Sequence, residues 1–180
     1  MCTRADRIES VRLAQLRACV PEVFGAGTLL YIGASIRRAQ CLSDLIASGR
    51  RVTILEAWQA NADYYREHSG LEVICGDVRE IARLKLAEVY DVAFWWHGPE
   101  HIARGKLADV LSDIERLARL VVLGCPWGNY PQSMLDGNHY EQHVAALYPK
   151  DFLNLGYRVD MLGRAGGRAD SNILAVKWTS

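Results

Sequence analysis

The sequence predicts an α/β protein: a doubly wound, mostly parallel sheet of about seven strands with a C-terminal antiparallel hairpin. Three observations lead there. Short apolar runs alternate with amphipathic segments along most of the chain. The runs lack the polar alternation of half-exposed strands, as expected of parallel strands covered by helices on both faces. The last two runs are joined by a loop too short for a crossover helix, so they must pair antiparallel.

Residues 6–20 carry Ile8, Val11, Leu13, Leu16 and Val20 at helical spacing, and Pro21 ends the pattern, which gives an N-terminal helix within 1–20. TLLYIG (28–33) is a strand ending in glycine, followed by an amphipathic helix over 37–47 that Gly49 closes. RVTILEA (51–57) is the second strand, its helix reaches His68, and Gly70 is the stop before LEVICGD (71–77). YDVAFWW (90–96) and LVVLGCP (120–126) are two more buried strands, with a helix from about 102 to 117 between them. Trp95 and Trp96 are adjacent and so face opposite sides of the sheet. A short helix over 151–155 precedes YRVDML (157–162), and a glycine-rich loop leads to the last strand, SNILAVKW (171–178).

The 180 residues suit one domain, 1–180. Twenty-one basic residues balance twenty-one acidic ones, so no overall field attracts a polyanion, and nucleic acid is not an expected partner. Cys2, Cys19, Cys41, Cys75 and Cys125 are odd in number and scattered, without a C-x-x-C pair, which reads as reduced thiols in the cytoplasm. The charged N-terminus lacks the apolar core of a signal peptide, and no window has the length of a membrane span.

In an open α/β sheet the ligand crevice lies beyond the carboxyl ends of the strands, near the point where strand order reverses. Gly33 follows the first strand, where a missing side chain lets a ligand approach the backbone. Glu56 ends the second, 23 residues past Gly33, where a carboxylate can accept from both hydroxyls of a ribose. Asp77 follows the third, placed to accept from an exocyclic amine or to cap the next helix.

With these residues in place the chain resembles the class I S-adenosylmethionine-dependent methyltransferases, from Thr28 to Trp178. LYIGAS is similar to the first motif of that family, TILEA to the second, ICGDV to the third, YDVAFWWHGPEHI to the fourth and LVVLGCP to the fifth. One departure stands in the first motif: Tyr31 occupies the usual acidic position, and Ala34 and Ser35 follow Gly33 where further glycines are usual. The resemblance implies S-adenosylmethionine as cofactor, held by Gly33, Ala34 and Ser35 under the methionine part, Glu56 and Ala57 at the ribose, Asp77 and Val78 near the adenine, and His97 at the mouth. It implies methyl transfer to a small-molecule acceptor; the alternative is a non-catalytic binding protein of the same fold.

A proton-bearing acceptor needs a general base, and His97, His101, His139 and His143 are the candidates, with Glu100 as a partner. His97, Glu100 and His101 form H-x-x-E-H, superficially a zinc-peptidase motif, but Gly98 and Pro99 break the continuous helix that motif requires. No metal is therefore expected. Residues 127–148 form a connection longer than ordinary loops, rich in turn formers and aromatics. The sequence predicts a lid over the substrate side of the cleft; a homodimer contact would use the same composition.

Overall fold

Seven strands form one sheet in the order β3-β2-β1-β4-β5-β7-β6. They are β1 (Thr28–Ile32), β2 (Arg51–Glu56), β3 (Glu72–Cys75), β4 (Tyr90–Trp96), β5 (Ala118–Pro126), β6 (Arg158–Leu162) and β7 (Asn172–Trp178). β1 to β5 run parallel, and β7 inserts antiparallel between β5 and β6. This computed structural model describes residues 13–36, 45, 49–86, 89–163 and 171–179.

The continuous apolar runs have their physical counterpart in burial on both faces. Leu30, Ile32, Ala93, Trp95, Val121 and Leu123 point into one core layer, while Leu29, Tyr31, Val92, Phe94, Trp96 and Val122 point into the other. The two tryptophans thus face opposite sides, as their adjacency requires.

Residues 13–19 are helical, and α1 (Glu22–Gly25) adds one turn before β1. α2 (Gln59–His68) follows β2, and α3 (Leu107–Glu115) buries Leu107, Val110, Leu111 and Ile114 at helical spacing. α4 (Pro149–Leu153) starts at a proline in its first turn, where the missing N–H costs nothing. Leu45 is helical and buried, but the rest of the helix expected over 37–47 lies outside the described residues, as do residues 1–12, 164–170, Cys2 and Cys41.

Two connections differ from expectation. The helix expected from about 102 to 117 is α-helical only over Leu107–Glu115; two 3₁₀ turns, Pro99–His101 and Arg104–Lys106, come first. Extended residues Ile102 and Ala103 separate them, so Glu100 and His101 sit in a turn of their own rather than opening a long helix. The connection from β3 to β4 is likewise a 3₁₀ helix, Val78–Arg83, ending at the extended Leu84.

The opposite end of the sheet is tied by Asp91. Its Oδ2 accepts from the Gly27 and Thr28 backbone N–H groups, each at 3.0 Å, and its Oδ1 accepts from Arg119 at 2.7 Å. One carboxylate thereby links the starts of β1, β4 and β5.

Candidate functional site

Strand order reverses between β1 and β4, and the carboxyl ends of β1 to β4 open there into a cavity of about 320 Å³. Its walls come from the loops after these strands and from residues of the segment 127–148. Gly33 has φ +72°, a left-handed conformation that an L side chain rarely adopts, and its N–H donates to the Leu55 carbonyl at 2.8 Å. The loop is held from outside by α2, since the Tyr65 hydroxyl donates to the Ser35 carbonyl at 3.2 Å.

Glu56 is the last residue of β2 and is only 5% exposed. The Trp58 N–H donates to its Oε1 at 2.8 Å, with further hydrogen bonds from the Asn61 side chain and the Ala34 backbone. Burial is the larger influence, and it pushes the carboxyl up to about 7; the nearby Glu141 charge acts in the same direction. The cavity therefore contains a carboxyl that changes charge near neutral pH.

Asp77 caps the 3₁₀ helix that follows β3: the Arg79 N–H donates to Oδ1 at 2.8 Å, and the Arg79 guanidinium forks onto both oxygens. Burial alone would raise this carboxyl, but the hydrogen bonds and charge of Arg79 outweigh it and hold the pKa below the ordinary value. Capping and cavity lining, separate possibilities in the sequence, coexist here.

At the end of β4, Trp95 lies between the loops after β1 and β4. A side chain on Gly98 would begin 1.5 Å from its Nε1, and one on Gly33 would begin 3.6 Å from the same atom. Gly98 is thus required by close approach of the indole. His97 has φ +55° and is bonded through both ring nitrogens: the Asn172 amide lies 3.1 Å from Nε2, and Nδ1 lies 3.2 Å from Glu100 Oε1. If the amide donates, Nε2 accepts and Nδ1 carries the proton toward Glu100.

The segment 127–148 folds back across this end. The Gly128 N–H donates to the Leu147 carbonyl at 2.6 Å, and the N–H groups of Val144 and Ala145 donate to the Glu100 carbonyl at 3.0 and 3.1 Å. Its 3₁₀ turn, His139–Glu141, capped by Asn138, contributes to the cavity wall.

Of the residues singled out in the sequence, Gly33, Ser35, Glu56, Ala57, Asp77, Val78, His97, His101 and His139 line one cavity. Ala34 is buried in the core and meets the site through its backbone, and His143 lies behind the wall beside Glu100. The four histidines separate into two groups. His97, His101 and His143 surround Glu100, whereas His139 packs edge-on to Trp58, with ring centroids 5.9 Å apart, on the side of Asp77. Sequence reasoning missed Trp58, Glu141 and Asn172. The first two adjoin recognised motifs, but nothing local distinguishes Asn172 from any polar residue opening a strand.

No family profile and no curated protein matches the chain. Solved structures do. The N-methyltransferase NodS from Bradyrhizobium japonicum WM9 in complex with S-adenosyl-L-homocysteine superposes at a TM-score of 0.67 and 13% identity, over 96% of this chain and 87% of that one. Magnesium protoporphyrin IX methyltransferase from Synechocystis PCC 6803, with bound S-adenosylhomocysteine, gives 0.62 at 15% identity, covering 97% and 82%. An S-adenosylmethionine-dependent methyltransferase from Archaeoglobus fulgidus gives 0.61 at 19% identity, covering 94% of each chain.

The chain has the class I S-adenosylmethionine-dependent methyltransferase fold, including the reversed β7. Among the described residues no helix is long and apolar enough to cross a membrane.

Proposed function

We propose that this protein binds S-adenosylmethionine and transfers its methyl group to a small-molecule acceptor in the cytoplasm. The observation that carries the reading is the convergence of Gly33, the buried Glu56 and Asp77 on one cavity at the strand-order reversal, beneath a single crossing segment. The donor and acceptor set suits the cofactor. Glu56 offers a carboxylate to two ribose hydroxyls, Asp77 and Val78 flank the adenine side, and the glycine loop gives backbone access for the amino-acid end.

When bound, the cofactor supplies an electrophilic methyl group on a cationic sulfur. The protein's task is then mainly alignment, with a base needed only for an acceptor that carries a proton. His101 suits that task best among the histidines. Its Nδ1 lies 3.0 Å from the Gln142 carbonyl, which can only accept, so Nδ1 carries the proton and Nε2 the lone pair. His97, engaged at both nitrogens, is a positioning residue, and His139 belongs to the adenosine side.

The test is calorimetric titration with S-adenosylmethionine and S-adenosylhomocysteine, with NAD as control. Micromolar binding of the first two alone supports the reading; no binding by a folded sample sinks it. A second reading, a binding protein without turnover, is favoured by Tyr31. The residue at the usual acidic position of the first motif is 2% exposed and packed on Phe94 with ring centroids 5.5 Å apart. Formation of S-adenosylhomocysteine in the presence of candidate acceptors separates the two.

A further inference from the structure

The turn that follows β4 and the lid bring together three side chains that the sequence holds up to 43 residues apart. Glu100, His101 and His143 each offer a donor atom, and these atoms lie within 4.8 Å of one another. His143 Nε2 is 3.9 Å from Glu100 Oε1, and the two imidazole centroids are 4.9 Å apart. Two donors at bond lengths of about 2.0 Å from a tetrahedral ion would stand roughly 3.3 Å apart, so a small inward movement suffices.

The backbone prepares both rings. His143 Nδ1 lies 2.5 Å from the Tyr130 carbonyl, and His101 Nδ1 lies 3.0 Å from the Gln142 carbonyl. A carbonyl only accepts, so each ring keeps its proton on Nδ1 and its lone pair on Nε2. A backbone carbonyl fixing one nitrogen while the other is presented is the arrangement that orients metal-ligating histidines. His97 Nδ1 lies 3.2 Å from the same Glu100 Oε1 and so helps to orient the carboxylate. Glu100 is 2% exposed, and a buried carboxylate among imidazoles suits a cation better than an apolar filler would.

We propose that Glu100, His101 and His143 bind one divalent transition-metal ion of the zinc or cobalt kind. Two imidazoles and one carboxylate match borderline metals, and the absence of a carboxylate cage disfavours magnesium and calcium. This is not the metalloprotease site that H-x-x-E-H suggested: His97 is replaced as ligand by a histidine from the lid. Three protein ligands leave coordination positions open, and His101 lines the cavity. On the methyl-transfer reading, those positions would take an oxygen of the acceptor and lower its proton affinity. This replaces the general-base role of His101 when the ion is bound, since its Nε2 cannot both hold a metal and accept a proton. The ion site itself does not depend on that reading.

The test uses full-length protein stripped with a chelator, titrated with Co²⁺ followed by visible ligand-field absorption, and with Zn²⁺ followed by elemental analysis after dialysis. The expected result is about one ion per chain, with affinity at least tenfold weaker in Glu100→Gln and in His143→Asn, and unchanged in His139→Asn. Wild-type thermal stability should also rise with Zn²⁺ or Co²⁺ but not with Mg²⁺. Less than a tenth of an equivalent bound, or affinity unchanged in both ligand variants, overturns the proposal. Should those variants fail to fold, the wild type decides: no absorption and no thermal shift overturns it. S-adenosylhomocysteine affinity measured on the same samples separates the two readings, since metal retained without nucleoside binding rejects methyl transfer alone.

Discussion

The Trp58 N–H donates to Glu56 Oε1 at 2.8 Å, so the chain leaving β2 turns back onto the carboxylate that ends the strand. This contact fixes the carboxylate in the cavity wall but does not offset its burial, and the carboxyl is held at about 7, above its ordinary 4.5.

Two outcomes follow from that residue. A raised folded-state pKa means that stability from the neutral carboxyl is fully present below 4.5 and is lost as pH rises through about 7. The displacement corresponds to on the order of 3 kcal/mol, which Glu56→Gln should abolish in thermal unfolding measured from pH 4 to 8. Binding should run the other way. Ribose hydroxyls donate to the ionised form, so S-adenosylhomocysteine affinity should rise with pH and level off above about 7. Glu56→Gln should flatten the profile and weaken binding by roughly ten to a hundredfold at pH 8. An affinity indifferent to the substitution would leave Glu56 a structural role only.

The histidines divide by position. His139→Ala should weaken S-adenosylhomocysteine binding by roughly three to tenfold, because its ring packs on Trp58 beside Asp77. His101→Ala should leave that affinity within about twofold and lower turnover once the acceptor is known. Calorimetry on both variants checks the first half directly, and equal losses would erase the distinction.

Gly124 on β5 accommodates the Trp96 ring so closely that a Cβ would begin 2.0 Å from its Cε3. Phe94 stacks on the same ring, with centroids 5.8 Å apart, which restricts where the indole can move. Gly124→Ala should cost about 1–3 kcal/mol in denaturant unfolding. Adding Trp96→Phe, which removes the two closest atoms, Cε3 and Cζ3, should recover part of the loss.

Asp91 at the far end offers a test remote from the cavity. The Thr28 backbone hydrogen bond lowers its pKa most, with the Thr28 hydroxyl and Arg119 adding to it, against a smaller desolvation effect. A depressed carboxyl stabilises the fold above its unfolded pKa of 3.8, and that contribution is lost as pH falls through the folded value. Asp91→Ala should lower the melting temperature by roughly 2–6 °C at pH 7 and by less at pH 3, with ligand binding unaffected.

The sequence alone determined the strands, because a strand buried on both faces must be apolar throughout, and it determined the closing antiparallel pair, because the loop before β7 is too short for a crossover. It also singled out Gly33, Glu56 and Asp77, which line the cavity, because each ends or follows a strand. Contacts between distant segments were not legible. That His143 and His101 both approach Glu100, that Asn172 reaches His97, and that His139 stands apart with Trp58 depend on how residues 127–148 cross the sheet. No periodicity encodes that path: it is set by backbone hydrogen bonds such as those from Val144 and Ala145 to the Glu100 carbonyl, which any residue other than proline could donate.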